Sequence, residues 1–286
     1  MRPVLIPAME RLGRAGLRSR GLATREVPTR LGPVHVYDGP GGGKMPPLVL
    51  LHGIGASATP FAPLIGRLLP HVGRIVAPDY PGHGFSADPP GEITPALLFE
   101  AMTEVLDGLL EQPALLVGNS LGGALALHYA IERPSKVAGL VLLSPAGAPS
   151  TDLEWRELVG SFDVRSRADA MKFFDRLYHR TPLLARLVAH ELGTAAIGRP
   201  AVRRLLATAT NADFHPPESL AGLRMPLLLV WGMEERLLPT SHFEYYRRHL
   251  PPHAVLERPD RLGHIPQGDS PTRVANRILR FAHSLH

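Results

Sequence analysis

Cysteine is absent from the 286 residues, which excludes disulfides and thiolate metal sites and leaves the redox compartment unread. Lysine is nearly absent as well, and arginine supplies 28 of the 31 basic side chains. No apolar run approaches the roughly 18 residues that span a bilayer, and Val4–Ile6 is too short for the core of a signal peptide. These absences set the expectation of a soluble, cytoplasmic body. What the chain does have is length, enough for one large α/β domain with an insertion or for two small domains, with a core that needs no staples.

The pI near 9.9 and the net charge of +5 are unevenly placed. Residues 1–30 hold Arg2, Arg11, Arg14, Arg18, Arg20, Arg25 and Arg30 against only Glu10 and Glu26, and the remaining basic and acidic residues balance. The body therefore lacks the electrostatic footprint of a nucleic-acid binder, and no nucleic-acid partner is expected. Residues 1–30 read as a basic N-terminal arm. Within it Leu5, Met9, Leu12 and Leu17 recur at near-helical spacing, which predicts a basic amphipathic helix. Such a helix lies either on a membrane surface, as a peripheral contact, or docked on the protein itself.

Short apolar runs at Pro47–Leu51, Arg74–Ala77, Ala114–Val117, Val137–Leu143 and Pro226–Trp231 have the length of buried parallel strands. Helix-like stretches at Phe61–Leu69, Pro95–Leu110, Leu121–Arg133 and His242–Leu250 alternate with them. That rhythm predicts a mostly parallel, doubly wound sheet. Val34–Tyr37 adds an antiparallel edge strand, and Ala254–Leu256 a final strand. From residue 145 to 222 the rhythm stops: helical patterns at Leu153–Phe162, Ala168–His179, Pro182–Leu192 and Ala201–Thr208 occur with no strand between them. This segment predicts an inserted helical cap, leaving residues 31–144 and 223–286 as the core.

Gly118-Asn119-Ser120-Leu121-Gly122 sets one serine between two glycines at the end of an apolar strand and the start of a helix. A sharp strand-to-helix turn would hold Ser120 in a strained conformation, and side chains two residues away on either side would collide with backbone. His52-Gly53-Ile54-Gly55 also follows a strand, where ligands bind in open α/β sheets. Its turn can aim the N–H of Ile54 into the cleft beside that of Leu121, and the pair would form an oxyanion hole, a donor type that lowers a barrier by about 2.7–4 kcal/mol each. Asp79 to Ser86 follows the next strand and reads as a loop scaffold, with His83 structural. A serine hydroxyl needs a base, usually an imidazole oriented by a carboxylate. Among the 14 histidines, His264 sits in a loop after the last strand and before the helix-like Pro271–His283, where it can swing over the sheet. His215, His242, His249 and His253 fall in cap or surface-helix contexts. For the carboxylate, Glu234 and Glu235 both follow the strand that ends at Trp231, and either could orient the imidazole.

Taken together, the His-Gly turn at 52–53, the Asp-x-x-Gly-x-Gly-x-Ser block at 79–86, the elbow at 118–122 and the Gly-His loop at 263–264 resemble the α/β-hydrolase superfamily from about residue 30 onward. The resemblance implies the α/β-hydrolase fold and a triad in the order serine, acid, histidine, with the acid three residues after Gly232, at Glu235. That family position usually holds aspartate, so Glu234, or Asp152 after the preceding strand, stands as an alternative. A serine at the elbow argues against epoxide hydrolases and haloalkane dehalogenases, which use aspartate there. Ser144–Asp152 is similar to the cap entry of monoacylglycerol lipase-like enzymes, and a carboxylesterase or lipase acting on a small-molecule ester ranks first. A carbon–carbon hydrolase of ring meta-cleavage products ranks second, because Asn119 fits it while Ile265 replaces the aromatic expected after the histidine. A non-catalytic small-molecule receptor on the same fold is the reading of another class. The esterase chemistry requires no metal and no cofactor. In the cap, Leu153, Trp155, Leu158, Phe162, Phe173, Phe174, Leu177, Leu183, Leu184, Leu187 and Val188 are expected mostly as packing, with a subset lining an acyl pocket.

Overall fold

The computed structural model describes residues 3–285, so the arm's Arg2 lies outside the described residues. The chain opens with α1 (Leu5–Arg18) and β1 (Ala23–Val27), followed by β2 (Val34–Pro40), β3 (Leu48–Leu51), α2 (Ala62–Leu68), β4 (Arg74–Pro78) and α3 (Pro95–Leu109). Then come β5 (Ala114–Asn119), α4 (Leu121–Glu132) and β6 (Val137–Leu143). Five helices succeed one another without a strand: α5 (Asp152–Gly160), α6 (Arg167–Leu177), α7 (Leu183–Ala195), α8 (Pro200–Thr208) and α9 (Pro217–Ala221). The chain closes with β7 (Leu227–Val230), α10 (Thr240–His249), β8 (Val255–Glu257), α11 (Pro266–Asp269) and α12 (Pro271–His283).

All eight strands form one sheet in the order β1-β2-β4-β3-β5-β6-β7-β8. From β4 to β8 every pairing is parallel, and β1 and β2 join antiparallel at one side. Two expectations are corrected here. The sheet begins at Ala23, so the arm does not extend to residue 30, and β1 rather than Val34–Tyr37 is the antiparallel edge. β1 carried no readable signal because its burial pattern has no apolar face. It is a short edge strand with two charged residues at its centre, of which Arg25 pairs with the buried Asp38.

The apolar strands are buried on both faces because helices cover both. Along β5, Leu116 packs with α3, α4 and α10, while Leu115 and Val117 pack with α2 and α12 on the other side. Such alternation follows from the two-residue period of a strand. The cap has a small core of its own, formed by residues such as Val164, Phe173, Phe174, Val188, Leu192 and Ile197. Leu153, Leu183, Leu184 and Leu187 do not join it; they are exposed, which corrects the expectation that these leucines pack the cap or line a pocket. The arm folds onto the protein: Leu17 is fully buried, and Glu10 accepts hydrogen bonds from the Ser57 and Thr59 hydroxyls at 2.7 and 2.5 Å.

Candidate active site

Ser120 is the residue between β5 and α4, at φ 55° and ψ −120°. Non-glycine residues rarely adopt positive φ, and holding one there costs on the order of 1–3 kcal/mol. Four hydrogen bonds maintain it. The Ser120 N–H donates to the Leu143 carbonyl at 3.1 Å, and its own carbonyl accepts from the N–H groups of Gly123, Ala124 and Ala146 at 2.8, 3.1 and 3.0 Å. The flanking glycines are required by close backbone approach. A Cβ on Gly118 would stand 2.1 Å from the Gly122 oxygen, and one on Gly122 would stand 2.1 Å from the Leu51 oxygen.

The His-Gly turn abuts the serine, since a Cβ on Gly53 would meet the Ser120 Cβ at 3.4 Å. Among the described residues, the N–H groups of Ile54 and Leu121 donate to no protein acceptor. Leu121 opens α4, where the first N–H groups have no helical partner and the helix dipole favours negative charge. His52 holds the turn. Its Nδ1 donates to the Gly53 carbonyl at 2.8 Å, its Nε2 accepts from the Tyr80 N–H at 3.2 Å, and its ring stacks on Tyr80 with centroids 3.9 Å apart. Burial lowers the His52 pKa, so the neutral ring is favoured.

The loop that follows β7 turns back so that Glu235 meets His264. Glu235 Oε2 lies 2.8 Å from His264 Nδ1, and its Oε1 accepts from the Leu237 and Leu238 N–H groups at 2.8 and 3.0 Å. Both side chains are about 3% exposed. Burial alone would raise the Glu235 pKa, but the charge and hydrogen bond of His264 and the two N–H donors outweigh it and hold the pKa below the ordinary value. Glu234 goes elsewhere: its carboxylate accepts from the Leu262 N–H at 3.0 Å and lies 3.7 Å from His179. Asp152 is exposed in the first turn of α5. Of the three candidate acids, the structure brings only Glu235 to His264.

Asn119 connects the serine to the histidine loop. Its Nδ2 donates to the carbonyls of Leu143 and His264, each at 2.9 Å, and its Oδ1 accepts from Gln267 Nε2 at 3.0 Å. Two carbonyl acceptors fix the amide orientation. Gln267 was not foreseen, because a polar residue three positions after His264 has no periodicity or motif to mark it. Among the described residues, neither the Ser120 hydroxyl nor His264 Nε2 hydrogen-bonds to another side chain, and both residues are buried.

Asp79 is fully buried and scaffolds the neighbouring loop. It accepts from His35 Nδ1 at 3.0 Å, the Ala58 N–H at 2.7 Å and the Phe85 N–H at 3.0 Å. Burial raises its pKa, yet the His35 bond, the nearby His52 and the two N–H donors lower it further. His83 is buried, bonded to the Pro81 carbonyl at 3.0 Å, and burial pushes its pKa down to about 3. His242 and His215 are buried and structural: His242 shares a 2.7 Å hydrogen bond with Ser150, and His215 donates to the Ala124 carbonyl at 2.9 Å. A cavity of about 370 Å³ opens on the cap between α5 and α6, but Glu157, Asp163, Asp169, Lys172 and Arg176 line it, so it is a charged surface cleft apart from Ser120.

Residues 48–277 match the family described as the alpha/beta hydrolase family. The pimeloyl-[acyl-carrier protein] methyl ester esterase of Xanthomonas oryzae is 31% identical over 256 residues, covering 85% of this chain and 97% of that protein. An uncharacterized protein of Mycobacterium tuberculosis is 27% identical over 261 residues, 84% of this chain and 76% of that one. Among solved structures, a membrane phospholipase A described as a bacterial virulence factor superposes with a TM-score of 0.81 at 24% identity, covering 98% of this chain and 92% of that one. Naproxen esterase of Bacillus subtilis gives a TM-score of 0.75 at 22% identity, with 96% and 97% covered. Likeness at that identity speaks to fold, which is the α/β-hydrolase fold.

Proposed function

The chain belongs to the alpha/beta hydrolase family, and from that premise we propose that it is a serine esterase that cleaves carboxylic esters through an acyl-enzyme. One observation carries the reading: Glu235 and His264 form a buried pair at 2.8 Å whose loop is tied by Asn119 to the strained Ser120. In the proposed reaction, Ser120 Oγ attacks the ester carbonyl while His264 Nε2 accepts the hydroxyl proton, and Glu235 stabilises the imidazolium that forms. The N–H groups of Ile54 and Leu121 receive the oxyanion. His264 returns the proton to the departing alcohol. Water then attacks the acyl carbon with His264 as base, the acid leaves, and Ser120 regains its proton.

The Xanthomonas relative is a methyl ester esterase, which supports a small alcohol as leaving group. Small or medium acyl esters, with monoacylglycerol-like lipids at the upper end, are the proposed substrate class. The experiment is hydrolysis of p-nitrophenyl esters of increasing acyl length by the wild type and by Ser120→Ala. Loss of roughly 10³-fold or more in kcat is expected of the variant, and turnover equal to wild type would remove Ser120 from the mechanism.

A further inference from the structure

Two neighbouring helices leave apolar side chains in water while turning their acids inward. Val4, Leu5, Met9 and Leu12 are 65%, 43%, 36% and 73% exposed, although Leu17 of the same arm is buried. In α7, Leu183, Leu184 and Leu187 are 74%, 54% and 54% exposed, while Val188 and Leu192 face the cap core. The two sets are continuous. The Glu191 carboxylate of α7 accepts from the N–H groups of Val4, Leu5 and Ile6 at 2.7, 2.8 and 2.7 Å, so α1 starts on top of Glu191. Leu187 lies one turn and Leu183 and Leu184 two turns before Glu191 on the same face of α7. The leucine stripe therefore runs into the first turn of α1.

Within the two segments that carry this patch, the solvent-facing charge is mostly cationic, although the exposed Asp175 of α6 borders the start of α7 through its hydrogen bond with Thr181. Glu10 is the only acid in residues 3–25, and Glu191 is the only acid in residues 180–199. Both point inward, Glu10 to the Ser57 and Thr59 hydroxyls and Glu191 to the start of α1. Arg11, Arg18, Arg20, Arg180 and Arg186 are exposed. Apolar side chains rimmed by cations, on helices lying along a surface, match the headgroup boundary of an anionic bilayer. A second copy of the chain fits less well, because it would bring one arginine rim against another.

We propose that the α1/α7 face docks on an anionic lipid bilayer, with Leu5, Met9, Leu12 and Leu187 entering the headgroup–acyl boundary. The face adjoins the candidate active site: beyond α7, the Ile197 side chain covers Gly55 of the His-Gly turn, 2.7 Å from where a Cβ would lie. Docking would thus bring the cap side of the site against the bilayer. Deleting the arm is a poor test, since Leu17 and Glu10 are built into the body and the sheet starts at Ala23.

The test is co-sedimentation of the full chain with vesicles of equal phosphatidylglycerol and phosphatidylcholine, and with phosphatidylcholine vesicles alone. Binding to the anionic vesicles, weakened by added salt, is expected of the wild type. Leu12→Glu/Leu187→Glu and, separately, Arg11→Glu/Arg18→Glu should each weaken it by about tenfold or more, while Val255→Glu, at an exposed site on β8, should not. Thermal melting and turnover of a soluble ester report whether each variant is folded. No binding by the wild type, equal binding to both vesicle types, or full binding by both double variants would overturn the proposal. A dimer that the leucine variant dissociates, without vesicle binding, would assign the face to a second copy instead.

Discussion

Glu235 uses both carboxylate oxygens, one on His264 and the other on the Leu237 and Leu238 N–H groups. The two N–H donors fix one carboxylate oxygen while the other meets the imidazole. The sequence places Ser120 and His264 through glycine neighbours and position after strands, and the family resemblance points to Glu235 by its spacing from Gly232 while leaving Glu234 as an alternative. Their roles differ because the loop turns one toward His264 and the other toward Leu262. Glu235→Gln is expected to lower kcat by about 10²–10⁴-fold, as loss of an imidazole-orienting acid does. Glu234→Gln should keep kcat within about threefold, and steady-state kinetics on one soluble ester compares them. Asp79 anchors the neighbouring loop through three hydrogen-bond donors. Removing it in Asp79→Ala leaves His35 and two buried N–H donors without their acceptor, at an expected cost of about 3 kcal/mol in urea unfolding.

At the scale of elements, the parallel strands are legible because they are buried on both faces and read as unbroken apolar runs. The antiparallel edge is not, because β1 is held by backbone pairing and by Arg25 on Asp38 rather than by an apolar face. The cap helices are legible from their period, but period alone does not say which apolar residues face water. That required seeing α1 seated on α7. The elbow is the element most tightly specified by sequence. Gly122→Ala would drive a Cβ into the Leu51 carbonyl of β3, where neither strand nor helix can move independently. A loss of about 3 kcal/mol or more is expected in thermal or urea unfolding, and a variant as stable as wild type would mean that the strand-to-helix approach is looser than described.

Across the whole molecule, several histidines are buried in neutral form, and stability should follow them. Burial lowers the pKa of His83 to about 3 and those of His215 and His242 to about 4, against about 6.5 for an exposed histidine. Between those values the unfolded chain binds protons that the folded chain does not, so folding stability falls as pH drops from about 6.5 toward 4. Each such histidine contributes a slope of about 1.4 kcal/mol per pH unit. Glu235 and Asp79 act in the same direction lower down: their folded pKa values are depressed, so their stabilisation is present above the unfolded values and lost as pH falls through the folded ones. Urea midpoints measured from pH 7.5 to 4.5 should therefore hold level down to about pH 6.5 and decline below it, and His242→Gln should flatten the decline. None of this was legible in the sequence, because burial of a histidine depends on what packs over it. Covalent trapping reports on the nucleophilicity of Ser120 without depending on the choice of substrate. After incubation with a fluorophosphonate ester, intact mass and peptide mapping should find one adduct per chain, on the peptide carrying Ser120, with none on Ser120→Ala. An unlabelled wild type that still hydrolyses esters, or an adduct confined to another residue, would exclude Ser120 as the nucleophile.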